Sequence, residues 1–122
     1  MAFEVDKIGA ETLAAGGFAG EDLTTHQGKA VVATGVGVKL CFDAVASGPP
    51  YVLGNAPSSG TAAAVYGGPN TIQAKAAVAV ALGDYITVSA SAYFTPTTSF
   101  TYAIGTARTA VASGITFALR MF

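Results

Sequence analysis

Residues 29–42 read KAVVATGVGVKLCF, and this stretch decides the fold class. Valine and threonine carry two heavy atoms on Cβ and favour pleated backbone. Along a strand, successive side chains point to opposite faces. In the second half of the run Val36, Val38, Leu40 and Phe42 therefore share one face, and Lys39 and Cys41 take the other. Gly35-Val36-Gly37 has neither the Gly-Lys-Ser/Thr nor the following helix of a phosphate loop, and reads as a bulge in the strand.

The same signal continues downstream. GPPYVLGNAPSSG (48–60) is a short extended piece between turns, punctuated by Pro49, Pro50, Gly54, Asn55, Pro57 and Gly60. TAAAVYGGPN (61–70) offers one short strand. TIQAKAAVAVALGD (71–84) opens with alternation, Ile72, Ala74 and Ala76 against Gln73 and Lys75. It then enters AAVAVAL, which a helix or a buried strand suits equally. YITVSASAYF (85–94) is a strand, TPTTS a loop, and FTYAIGTARTA (100–110) a strand in which Gly105 marks a bulge or a close approach. ITFALRMF (115–122) closes the chain with Ile115, Phe117, Leu119 and Met121 opposite Thr116, Ala118, Arg120 and Phe122. Seven or eight short strands about ten residues apart predict an all-β fold, a small β-barrel or sandwich of antiparallel strands. Alanine is a poor strand former, so its repeated use suggests faces that approach a second sheet or subunit closely.

Upstream the composition changes. Residues 1–28 hold Glu4, Asp6, Glu11, Glu21 and Asp22 against Lys7, whereas residues 29–122 hold Asp43 and Asp84 against Lys29, Lys39, Lys75, Arg108 and Arg120. Gly16-Gly17 stops any helical turn begun by IGAETLAA. The division is an extended N-terminal arm over 1–28 and a β-rich domain over 29–122, with the acidic arm suited to a basic partner or to a neighbouring subunit's body. Charged residues make up 11% of the chain against roughly 25% in ordinary domains. Large neutral tracts on a domain this size favour burial against copies or partners. The chain reads as an assembly part.

Chemistry-bearing residues are sparse. The net charge of −1 gives no basic footprint for nucleic acid. Cys41 is the one cysteine, so no internal disulfide forms, and its apolar surroundings suit a small buried hydrophobe. His26, in EDLTTHQG, has Glu21 and Asp22 nearby but no flanking signature of a catalytic base. The acids show no metal-ligand spacing, and the aromatic residues lack the basic neighbours of a stacking platform, so core or interface roles are expected of them. No cofactor and no enzymatic activity are expected. The longest uncharged spans are broken by Pro, Gly and Asn, which argues against a membrane helix, and the acidic N-terminus does not look like a secretion signal.

The body resembles the tailed-phage capsid cement, or head decoration, proteins over residues 21–122. EDLTTHQGKAVVAT leads into the first strands. A turn pattern of small residues is carried by Leu53, Asn55, Pro57, Gly60, Ala63, Val65 and Gly68. A Gly-Asp-hydrophobic strand start is carried by Gly83, Asp84 and Ile86, and the ending by Ile104, Gly105, Ala107, Gly114, Ile115 and Phe117. The loop Tyr93–Ser99 departs from that pattern, and the first 20 residues do not match it. The resemblance implies a β-tulip-like domain, made in the host cytoplasm, that assembles as a homotrimer on the outer capsid surface. Its partner would be the major capsid protein at three-fold and quasi-three-fold positions, where it locks neighbouring subunits. Charge asymmetry adds the arm as a capsid-binding element, with Phe3, Val5 and Ile8 as apolar anchors and Glu4 and Asp6 meeting basic residues.

Two other classes fit less well. A subunit of a phage fibre, spike or tail contacting the host shares the small-residue β composition, but usually brings repeats. A sugar-binding module or enzyme needs acids or amides around exposed tyrosines, and the body offers only Asn55, Asn70 and Gln73.

Overall fold

The computed structural model describes residues 17–42, 50–69 and 71–122. Among them nine strands form two antiparallel sheets: β1 (Ala30–Thr34), β2 (Gly37–Leu40), β3 (Tyr51–Leu53), β4 (Val65–Tyr66), β5 (Thr71–Lys75), β6 (Tyr85–Val88), β7 (Phe94–Pro96), β8 (Gly105–Ala107) and β9 (Thr116–Met121). The smaller sheet has the order β2-β1-β3-β4 and the larger β5-β9-β8-β6-β7. Neither closes on itself, so of the two expected all-β architectures the protein takes the sandwich.

The deciding stretch folds as a hairpin, not as one bulged strand. Thr34 pairs with Gly37 and Val31 with Leu40, leaving Gly35 and Val36 at the turn. Gly37 takes φ +119°, and a Cβ there would press on the carbonyl oxygen of Phe18 at 2.7 Å. Chain reversal puts Val36 at a tip, where it is exposed, while Val31 and Val38 remain buried. Phe42, past the end of β2, is also exposed.

Val31 and Val32 are adjacent and both buried because the small sheet is covered on both faces. Ala30, Val32, Cys41 and Val52 face the large sheet. Val31, Val38, Leu53 and Val65 face a second core completed by Ala19, Leu23 and Ala63. Residues 17–28, the described part of the segment expected as an arm, lie against the body. Ala19 bridges β2 at Val38 while Phe18 bridges Ala62, and Leu23 is wholly buried with its N–H on the carbonyl of Pro57. An apolar Leu23 with a ready slot stays in contact with the body, since burying a leucine contributes about 2 kcal/mol.

The large sheet alternates cleanly. Ile72 and Ala74, Ile86 and Val88, and Phe117, Leu119 and Met121 point inward. Ile115 is exposed, because β9 starts one residue later. AAVAVAL forms neither helix nor continuous strand. The Ala76 and Ala77 N–H groups go to the carbonyls of Ile115 and Phe94, and Val80 pairs with Val111. Amides held by acceptors from two distant segments are not free for helical bonds. At Gly105 the close approach is real: a Cβ would overlap the carbonyl oxygen of Arg120 on β9.

Candidate interaction surface

The outer face of the large sheet is built from the residues between the buried ones. Register places Thr71 beside Arg120, Arg120 beside Thr106, and Thr106 beside Tyr85, a row crossing four strands. Gln73 lies beside Ala118, Lys75 beside Thr116, and Thr87 beside Thr95. Threonine and alanine give a shallow relief that a partner can approach. Lys75 and Arg120 are the charges at these strand positions, and neither forms an ion pair with a described residue.

At the Tyr85 corner the relief rises into an aromatic cluster. A short 3-10 turn, Phe100–Tyr102, has no buried residue and sets Phe100 over the sheet. The Tyr85 and Phe100 rings meet edge to face with centroids 5.2 Å apart, and Phe100 lies 6.0 Å from Phe122. Phe122 is oriented by its N–H, which donates to the carbonyl of Ile104. Phe100 is 66% exposed, Phe122 57% and Tyr85 42%. Three rings joined through Phe100 that remain open to water form the feature an interface core requires.

The opposite corner is polar. A groove of about 220 Å³ is lined by Gln27, Gly28, Gln73, Lys75 and Thr116. Beside it Lys29 donates to Nδ1 of His26 at 2.9 Å and lies 4.5 Å above the Tyr93 ring. Partial burial, then the Lys29 charge, lowers the His26 pKa below its ordinary value, against the opposing pull of Glu21 and Asp22. An imidazole whose lone pair is taken by an ammonium acts here as a structural acceptor. The Cys41 thiol is buried in the inter-sheet core.

The arm residues expected to bind a partner, Phe3, Glu4, Val5, Asp6 and Ile8, lie outside the described residues. Sequence reading gave the aromatics core or interface roles without dividing them. Folding buries Phe94 and Tyr66 and exposes Phe100, Tyr102 and Phe122. For Phe122 the parity of β9 was the available signal, since it shares its side with Arg120 and not with Met121.

No family model matches the chain, and no curated protein is similar to it. In three dimensions it is similar to the crystal structure of the head fiber gp8.5 N base of bacteriophage phi29, with a TM-score of 0.68 over 87% of this chain and 90% of that one. Identity is 16%, so the likeness establishes a shared fold.

Proposed function

We infer that this chain is a structural protein of a phage virion, seated on the outside of the head. The observation that carries the reading is the fold it shares, over nearly its whole length, with the base of a phage head fibre. The surface supports it. Tyr85, Phe100 and Phe122 supply an apolar centre, the threonine-rich sheet a low-relief surround, and the sparse charge little repulsion between copies. Its role is to cement neighbouring major capsid subunits as a homotrimer at three-fold and quasi-three-fold positions. Many modest contacts repeated over a shell add up, because each bound copy holds its neighbours' sites together.

A second reading, the base of a head fibre, is favoured by the neighbour's own description as a head fibre base. Incubation of the purified protein with expanded empty heads, followed by sedimentation, cryo-microscopy and heat challenge, separates the two. Cement binds in near-capsid numbers and raises the temperature at which heads rupture. A fibre base binds without that gain. Failure to bind heads of any maturation state would overturn the reading.

A further inference from the structure

All three carboxylate side chains among the described residues are committed to backbone amides. Glu21 accepts the Leu40 N–H at 2.8 Å, Asp22 the Thr24 N–H at 3.2 Å and Asp84 the Ala81 N–H at 2.9 Å. The cations on the outer face of the large sheet have no such engagement. Arg108 continues the ladder one residue beyond β8, its N–H donating to the carbonyl of Ala118 at 2.8 Å. Parity with Thr106 keeps Arg108 on the outer face, across from Ala118. Arg120 stands two residues along β9 from Ala118, roughly 7 Å away. Lys75 flanks Ala118 on the diagonal, beside Thr116. Arg108 and Arg120 are exposed and Lys75 is half-buried. None of the three forms an ion pair with a described residue. Asp84 bonds Ala107, an inward-facing position, so no described acidic side chain shares the face. Arg120 alternates with Phe122 along the chain, and the cationic patch therefore runs directly into the cluster of Tyr85, Phe100 and Phe122.

We propose that this face seats an acidic protein surface of the shell, with an apolar contact on the aromatic cluster and carboxylates on Arg108, Arg120 and Lys75. Charge complementarity selects that occupant. Guanidinium groups with no internal partner match carboxylates in paired hydrogen bonds, and aromatic rings beside arginine are the residues that dominate protein interfaces. A second copy packed face to face across a two-fold axis would set the same cations against one another, which is repulsive. Its described acids are already held by its own amides. A nucleic acid also stacks on aromatic rings, but three cations on a chain of net charge −1 neutralise few phosphates. This deepens the proposed function by giving the chemistry of the partner, and rests on it for the partner's identity.

Titration of the full chain onto expanded empty heads at low and raised salt, read by sedimentation, tests it. Binding of the unaltered protein is expected to weaken as salt rises, because exposed charge pairs are screened. R108E and R120E are each expected to weaken binding at low salt at least about tenfold, with the unfolding midpoint unchanged. K39E makes the same change in net charge on β2 of the other sheet and is expected to shift binding by less than about twofold. Equal loss in K39E, or no loss in R108E and R120E, overturns the acidic docking face and leaves head binding standing. Tighter binding to a single-stranded oligonucleotide than to heads, lost in R120E, assigns the face to nucleic acid and overturns the proposal. Self-association that R120E abolishes assigns it to a second copy and does the same. Failure of the unaltered protein to bind heads overturns this proposal and the function it rests on together.

Discussion

Tyr85 and Phe100 touch edge to face at 5.2 Å while both stay open to water. Tyr85 comes from the start of β6 and Phe100 from the turn after β7, so their contact pins a loop corner onto the sheet. An aromatic pair contributes about 0.5–1.5 kcal/mol beyond area. That is ample to hold a loop corner and small beside the stability of a domain, which points to use of the exposed faces elsewhere.

Phe100→Ser therefore separates folding from association. The melting free energy is expected to change by about 1 kcal/mol or less, since the ring is mostly exposed. Head binding, or self-association measured by sedimentation, is expected to fall at least tenfold, about 1.4 kcal/mol. Equal losses in folding and association would make the cluster a purely structural feature.

Leu23→Ala tests the placement of residues 17–28 in the body. The side chain is fully enclosed in the second core. Truncation is expected to destabilise by about 2–5 kcal/mol in denaturant titration. A frayed segment would show almost no change.

Glu21 closes the β2 edge by accepting the Leu40 N–H. Glu21→Ala leaves that amide to water and is expected to cost about 1 kcal/mol, whereas Glu21→Gln, which keeps an acceptor oxygen, should lose less. Light scattering at raised concentration checks the second consequence, greater edge-to-edge aggregation of the alanine variant.

His26 gives a pH dependence with a definite sign. Partial burial and then the Lys29 charge lower its pKa in the folded state, so the unfolded chain binds the proton more readily. Stability from this site is complete above the unfolded value of about 6.5 and declines as pH falls through it toward the lower folded value. H26Q removes this component, and the difference between the two proteins' unfolding free energies is expected to narrow between pH 7 and pH 5. A widening difference would reverse the assignment.

Gly105→Ala drives a methyl into the carbonyl of Arg120 and is expected to cost about 1–3 kcal/mol in thermal or chemical unfolding.

Much of the fold was legible in the chain. Alternation in β5 and β9 correctly assigned Ile72, Ala74, Phe117, Leu119 and Met121 to one buried face. Period two is a local property, and local order is what sequence reports. The hairpin at Gly35-Val36 was not legible as such, because a glycine pair permits a bulge and a turn alike. AAVAVAL stayed ambiguous for a related reason. Small apolar residues suit several backbones until the amides of Ala76 and Ala77 find their acceptors.

Of the candidate site, composition alone gave the scarcity of charge and with it the case for a covered surface. Which aromatics lie outside was decided in three dimensions, where Tyr85, Phe100 and Phe122 arrive from separate elements. The sequence by itself determined the all-β class, the turn-rich spacing and the acidic start of the chain, since these follow from side-chain shape and charge at neighbouring positions. Tertiary structure alone decided the second core around Leu23 and the aromatic corner. Each depends on contacts between residues far apart in the chain, and alternation along a single strand carries no record of what lies beside it.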